Sequence, residues 1–499
     1  MKTKKQKKTM KQRKTRKQRK TKKQRKIRGG DLDANIKKTL GPLIENRKNN
    51  QGQMLNIACK NPDNCLALGA YGPIIKQYFD NFRNLSLVNN KNIKRIGKPS
   101  VNGFILEVPF TKNSSGQLSQ TSPQLSRKNN FTAYTALKCA VLEDSDNLFY
   151  EYYVGKFFIN SYLNIFPCFV ETYDCYRFIN ENSWSKLKDL TNTNNINLAD
   201  MIDRKNVSEE PRNDPYDNED SAWFKMSCVE NKNICTLIQH FDNFRSVSDE
   251  YRQNYKNIQY EIFNILYQVY FPLTILKDKY THYDLHANNV FLYKPYEGKK
   301  YIQMRYHLLS GRIIEFPSEY IVKIIDYGRN YFDNGMTNTK KIIKDYICGN
   351  DLCDPECGAK VGYNVIQGNE YNPNTVYHWI FPNNKNISHD LIFAVNFYEY
   401  LIQYNIFDAF VYGNTEISNN SPSSSYSQFF QSGTPEKLGG DSRNIYNIVN
   451  LRDSLEAFMD GWNGQIMNQK YNIIWKKKAI MDIYEDQRPY TFEVLPDTA

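Results

Sequence analysis

Apolar positions in this chain keep period two through much of its first half and a helical period through much of the second. In "KNIKRIGKPSVNGFILEVPF", from residue 91, Phe104, Leu106 and Val108 alternate with other residues, predicting a strand, a Gly-containing turn and a second strand. "FTAYTALKCAVL" predicts another strand, with Lys138 in apolar company. "DNLFYEYYVGKFFINSYL" has apolar or aromatic residues at 148, 149, 152, 153 and 157, a helical spacing behind an Asp146 or Asn147 cap, and Glu151 lies on that helix. "FPCFVETYDCYRF" and "ICTLIQHF" read as further strands, with the charged, Asn-rich stretch 183–233 between them as an insertion.

The later pattern is helical. Residues 254–279 predict one long helix and "ISHDLIFAVNFYEYLIQY", 387–404, another, while the Ser-, Asn- and Gly-rich stretch 413–442 reads as a mobile loop. Residues 31–90 give no clear pattern and are assigned to an N-terminal extension. A smaller β-rich part, 91–241, followed by a larger helical part, 242–485, predicts an α+β fold of two lobes with a ligand-binding cleft between them.

Charge changes the picture at one end. The formal charge of +13 suggests a nucleic-acid binder, but residues 1–30 hold 17 Lys or Arg and no Asp or Glu; without them the remainder stands at −4. Gln-Arg-Lys recurs at 12, 18 and 24 with almost no apolar residue nearby, so this basic tail is expected to be disordered in isolation. Its electrostatics suit non-specific binding to nucleic acid, an anionic membrane or an import receptor. No apolar stretch follows the charges as in a signal peptide. The longest apolar run, "IFNILYQVYFPLTIL", is interrupted by Asn264, Gln268 and Pro272, so no transmembrane segment is expected. Ten cysteines without a secretion signal fit reduced thiols in an intracellular compartment. Cys348, Cys353 and Cys357 cluster, but their spacing matches no metal-binding pair.

Two segments carry candidate chemistry. "THYDLHANNV", 281–290, concentrates His282, Asp284, His286 and Asn289 between a long apolar run and a β-branched one. "YIVKIIDYGRN", 320–330, ends a buried-strand pattern at Asp326, with Gly328 two places on. Phosphoryl transfer from a nucleotide needs a carboxylate and a second oxygen ligand on Mg²⁺, a base at the acceptor hydroxyl and a cation on the phosphates. Asp326, Asn289, Asp284 and Lys138 can supply those four.

With these residues the chain resembles the protein-kinase-like superfamily over roughly residues 91–410. His282, Asp284, Leu285 and Asn289 match the catalytic-loop pattern His-x-Asp-Leu-x-x-x-Asn, and Asp326-Tyr327-Gly328 matches Asp-Phe-Gly. The resemblance implies ATP and Mg²⁺ as cofactors, Asp284 as catalytic base, Asn289 and Asp326 as metal ligands, and His282 as a scaffold for the loop. It implies Lys138 as the phosphate-binding lysine, Glu151 as its helix partner with Glu143 as a rival, Gly97 to Gly103 as the glycine-rich loop, Gln239 and His240 as the hinge beside the adenine, and Asp390 as the brace of the catalytic loop. The Asn-, Lys-, Ile- and Tyr-rich texture and basic tail resemble proteins of large nucleocytoplasmic DNA viruses, which encode divergent kinases; the implied location is the cytoplasm or nucleus of a host cell, or the virion.

Several residues depart from the family pattern. Pro99 stands where a second glycine is usual, and Tyr283 replaces the arginine that commonly precedes the base. Asn289 and Asp326 are 37 residues apart, which predicts an extended hairpin at about 296–319. No Ala-Pro-Glu follows Asp326; Asp354-Pro355-Glu356 is too slight to replace it. His286 occupies the position of a lysine and is expected to face the transferred phosphate as an imidazolium. The leading expectation is a serine/threonine protein kinase. Its alternatives are a small-molecule kinase of the aminoglycoside or choline type, acting on a small hydroxyl acceptor, and a pseudokinase scaffold or virion protein whose tail binds nucleic acid.

Overall fold

A computed structural model describes residues 55–57, 65–68, 72–97, 103–113, 130–141, 148–190, 196–205, 207, 231–242, 244–343, 385–397, 409–412, 415–416, 444–445, 447–462, 470–471 and 474–496. The chain divides into two units, Met1–Leu55 and Asn56–Ala499, and the second carries the fold. That fold is mixed α+β. Its strands are β1 (Leu55–Ile57), β2 (Lys94–Ile96), β3 (Gly103–Asn113), β4 (Asn130–Ala140), β5 (Thr172–Phe178), β6 (Ile202–Lys205), β7 (Ile234–Gln239), β8 (Phe244–Ser246), β9 (Tyr280–Thr281), β10 (Val290–Tyr293), β11 (Lys300–His307), β12 (Ile313–Ser318), β13 (Ile321–Ile324), β14 (Tyr331–Phe332), β15 (Ala409–Tyr412), β16 (Thr415–Glu416), β17 (Asn444–Ile445), β18 (Lys476–Tyr484) and β19 (Thr491–Val494). Its α-helices are α1 (Gly72–Tyr78), α2 (Leu148–Phe157), α3 (Glu181–Lys188), α4 (Val247–Gln253), α5 (Tyr255–Ile258), α6 (Ile262–Ile275), α7 (Thr339–Ile342), α8 (Ile392–Val395) and α9 (Ile448–Trp462).

The largest sheet runs β2-β3-β4-β7-β5-β6, antiparallel at each of these pairings. As the alternation predicts, Phe104, Leu106 and Val108 are buried on one face. Lys138 lies on the other, directly across from Thr236, whose hydroxyl donates to the Leu148 carbonyl at the start of α2 (3.3 Å). Helix α2 therefore covers the face to which Lys138 points. It is buried continuously from Leu148 to Gly155, and Gly155 permits its close approach to β5: a Cβ there would stand 2.1 Å from the Thr172 hydroxyl oxygen.

The stretch expected as an insertion contributes to the sheet at its beginning. Asn180 caps α3 by accepting from the Ser183 amide (2.9 Å), Trp184 and Leu187 are buried, and the Trp184 indole donates to the Ala140 carbonyl (3.0 Å). β6 then pairs with β5. Charged residues on the outer side of α3 masked this amphipathic pattern.

The expected long helix 254–279 is two helices, α5 and α6, broken at residues 259–261. Helix α6 is buried on all sides, which explains both its apolar run and the amides that interrupt it. Gln268 accepts from the Val322 amide (3.0 Å) and donates to the Tyr320 carbonyl (3.2 Å), and Asn264 donates to the Pro317 carbonyl (2.9 Å), so both satisfy strand edges. No helix among the described residues is long and apolar enough to cross a membrane. Of the expected helix 387–404, a 3₁₀ turn at His389–Leu391 and α8 are described, and 398–404 lie outside the described residues. So do Pro99, the Asp146/Asn147 cap, Glu143, Cys348, Cys353, Cys357, and 413–442 apart from β16.

The expected hairpin is β11–β12, and it is only half of a sheet ordered β12-β11-β18-β19. β18 joins β11 in parallel, and β19 extends past residue 485, where the helical part was expected to end.

Replacing Gly155 with alanine should force α2 away from β5. The expected cost is about 1–3 kcal/mol, read as a lower melting temperature, with far-UV dichroism retained.

Candidate active site

Two short ladders hold the motif loops together. β9 pairs with β14, and β10 with β13 in the register Val290↔Ile324, so segments 282–289 and 325–330 are each tied at both ends. The Ile325 amide donates to the Asn289 carbonyl (3.0 Å), closing the gap between them.

His282 is fully buried. Its Nδ1 accepts from the Asp284 amide (3.3 Å), so Nε2 carries the proton and donates to the Ile325 carbonyl (2.9 Å). Burial lowers its pKa to about 4, which keeps the ring neutral and this tautomer fixed. Asp390 accepts from the backbone amides of His282 (2.8 Å) and Tyr283 (2.9 Å). Those bonds hold Tyr283 at φ +63°, a left-handed conformation costly for a bulky residue, and thereby aim the next side chain, Asp284. Burial raises the Asp390 pKa to about 7 despite the two amides.

Asn289 Nδ2 donates to the Asp284 carbonyl (2.9 Å) and carboxylate (3.2 Å), leaving its Oδ1 as the atom suited to a cation. His286 differs from expectation. Its Nδ1 accepts from the Asn288 amide (3.2 Å), its Nε2 lies 3.5 Å from the Asp284 carboxylate, and burial lowers its pKa. It is therefore neutral at pH 7 and turned toward Asp284. A fixed charge comes instead from Arg329, which is buried with Nε 3.9 Å from Asp284.

Lys138 joins the loops to the large sheet. Its ammonium is 2.7 Å from Glu151 and 3.0 Å from Asp326. Burial opposes the charge on Lys138, but Asp326 and Glu151 more than offset it and raise the pKa above the ordinary lysine value. Burial likewise opposes ionisation of Asp326, yet Lys138, Arg329 and His282 hold its pKa below the usual carboxylate value. An ionised carboxylate and a carboxamide oxygen, on segments joined by the Ile325–Asn289 backbone bond, are donor types that fit Mg²⁺. No group of three or more His, Cys, Asp or Glu forms a ready metal cage among the described residues.

Asp326 itself adopts φ +71°, whereas Gly328, the residue expected to supply flexibility, is not left-handed. Tyr327 anchors the turn through its hydroxyl, which accepts from the Val170 amide (2.9 Å) and donates toward the Ile324 carbonyl (3.0 Å). Gly97, at φ +74°, follows β2, and Gly103 opens β3 with backbone too near the Cys139 carbonyl for a Cβ; residues 98–102 between them lie outside the described residues. Gln239 ends β7 and accepts from the Glu171 amide (3.3 Å), while the His240 ring meets Glu107 (2.9 Å). Gln239 pairs with Thr135 of the Lys138 strand, and both residues lie on elements other than the Asp284 loop.

Two residues escaped the sequence reading. Arg329 is one. The other is Asn330, fully buried, which donates to the His282 carbonyl (2.6 Å) and accepts from the Tyr280 hydroxyl (2.6 Å), while its carbonyl accepts from Tyr150 on α2 (2.5 Å). Asn330 thus links the Glu151 helix to the Asp284 loop. Only its place directly after Asp-Tyr-Gly-Arg signalled it.

Compared with known proteins, the chain matches no protein-family model and no curated protein.

Buried His389, against the Tyr283 ring (4.8 Å), has its pKa lowered by burial from 6.5 to about 3. The unfolded chain then binds more protons than the folded one below pH 6.5, so this contribution to stability is lost as pH falls. His282 acts the same way, and Asp390, with its raised pKa, opposes both. Melting curves from pH 7 to 4 should fall less steeply for His389→Gln than for wild type, by up to about 1.4 kcal/mol per pH unit.

Proposed function

We propose that the chain is a two-lobed, protein-kinase-like phosphotransferase using ATP and Mg²⁺, with a serine or threonine hydroxyl of a protein as the leading acceptor. The observation that carries this reading is the Lys138 ammonium held between Glu151 at 2.7 Å and Asp326 at 3.0 Å, one carboxylate from a helix and the other beside the Asp284 loop. A structural ion pair needs one carboxylate; two from separate elements around one partly exposed lysine suit a group that must meet phosphate oxygens.

In this reading bound ATP with Mg²⁺ supplies the transferable phosphoryl group. Asp326 and the Asn289 oxygen hold the cation, and Lys138 orients the phosphates. Asp284 accepts the proton of the acceptor hydroxyl, and neutral His286, 3.5 Å away, keeps that carboxylate oriented. Arg329 keeps a positive charge beside the reacting oxygens. The sheet β2-β3-β4-β7-β5-β6 with α2 forms the smaller lobe, and the part built around α6 and α9 the larger.

A second reading, transfer to a small-molecule hydroxyl, is supported by His286 in place of lysine. Transfer of labelled γ-phosphate to protein and small-molecule panels tests both and identifies the acceptor class. Wild type should label one panel, and Asp284→Ala should lose about 10²–10⁴-fold in rate. Mg²⁺-dependent nucleotide binding with no transfer to any acceptor, unaltered in Asp284→Ala, would instead indicate a scaffold.

A further inference from the structure

The sheet β12-β11-β18-β19 gathers charge in a way the linear sequence conceals. Parallel pairing places Lys300 opposite Lys476 and Tyr301 opposite Lys477, and the Lys476 amide donates to the Lys299 carbonyl (2.9 Å). A register shift after Tyr301 fits Lys478 in beside them. Five lysines from segments far apart in sequence thus lie at one end of two strands, Lys300 directly opposite Lys476. Lys299, Lys476 and Lys477 are exposed and Lys300 is half-buried.

Like charges directly opposite on neighbouring strands are destabilising. Elsewhere the same sheet neutralises its cations: Arg305 and His307 both meet Asp482 at 2.6 Å, and Arg312 meets Asp460 at 2.7 Å. Lys299, Lys300, Lys476 and Lys477 have no ion-pair partner among the described residues. The concentration is also set against a chain that, outside its first 30 residues, is net acidic. Like charges left without an ion pair among the described residues of a regular sheet suit an anionic partner.

Aromatic residues border this cluster. Half-buried Tyr301 packs against Tyr471 at 5.2 Å, and Tyr471 against half-buried Trp475 at 4.9 Å, next to exposed Ile474. Cations tracking a phosphate backbone beside ring faces that stack bases form a surface for single-stranded nucleic acid. A duplex keeps its bases from such rings, and a membrane would need a broader apolar rim than Ile474 supplies.

We propose that the Lys299–Lys300 and Lys476–Lys478 corner of this sheet is a binding surface for single-stranded nucleic acid, separate from the basic N-terminal segment and independent of phosphoryl transfer. The test uses the full chain and a fluorescent oligothymidylate, titrated at several salt concentrations. In the variant combining Lys299→Gln, Lys300→Gln, Lys476→Gln and Lys477→Gln, the salt dependence should weaken by about 0.7 in log–log slope for each lysine engaged, up to about 3, because fewer counterions are released. Its melting temperature should not fall, since repulsion is relieved; Lys476→Gln with Lys477→Gln serves as a milder variant with half the change in slope. Trp475→Leu should weaken binding of the oligonucleotide and leave the slope unchanged. An unchanged slope in both lysine variants would overturn the proposal. So would loss of binding to phosphatidylserine vesicles with full retention of oligonucleotide binding, which would assign the corner to a membrane.

Discussion

The contact on which the site depends is the ammonium of Lys138 between two carboxylates. It joins three elements through one charged group: strand β4, helix α2 and the turn after β13. As a source of stability the arrangement is modest. Side chains of Lys138 and Asp326 remain 20% and 23% exposed, so solvent screens part of the attraction, and desolvation consumes more. Its effect is geometric. With Lys138 held protonated and Asp326 held ionised, neither charge can be withdrawn without leaving the other two groups mismatched. Such a cluster keeps both charges poised at neutral pH.

Backbone constraint does the rest. Asp284 is directed by a left-handed Tyr283, Tyr283 by the Asp390 carboxylate, and Asp390 by the burial of the segment that carries it. Asp326 is left-handed as well, and it follows Ile325, whose carbonyl accepts from the neutral His282 ring. The two strained residues therefore each follow one partner of that bond. Strain of about 1–3 kcal/mol at each such position persists only where the surroundings determine it. Here the β9–β14 and β10–β13 ladders do so, with Asn330 binding the pair to α2.

Local pattern made some of this legible and long-range pairing hid the rest. Period two at Phe104, Leu106 and Val108 revealed β3, the apolar run around Lys138 revealed β4, and the spacing of apolar and aromatic residues revealed α2. The break between α5 and α6 was hidden, since residues 259–261 carry neither Gly nor Pro. β6 and α3 were lost in a polar stretch because an edge strand and a surface helix bury so little. At the site, Asp284, Asn289, Asp326 and Lys138 were legible from residue type and spacing. Glu151 could be separated from Glu143 only by its 2.7 Å contact with Lys138. Arg329 and Asn330 could not be found, because their partners come from elements about 50 to 180 residues away. The environment of His286 was hidden for a related reason: its burial and its bond to the Asn288 amide are properties of the folded loop.

On the proposed reading, the charges around Lys138 are arranged for a nucleotide and its cation rather than for stability. Calorimetric titration of ATP, with and without Mg²⁺, into wild type and Asp326→Asn tests this most directly. The predicted result is tighter binding with Mg²⁺ in wild type and no effect of Mg²⁺ in Asp326→Asn, with the variant still folded. Equal affinity of wild type for ATP in the presence and absence of Mg²⁺, or no binding of ATP at all, would contradict it.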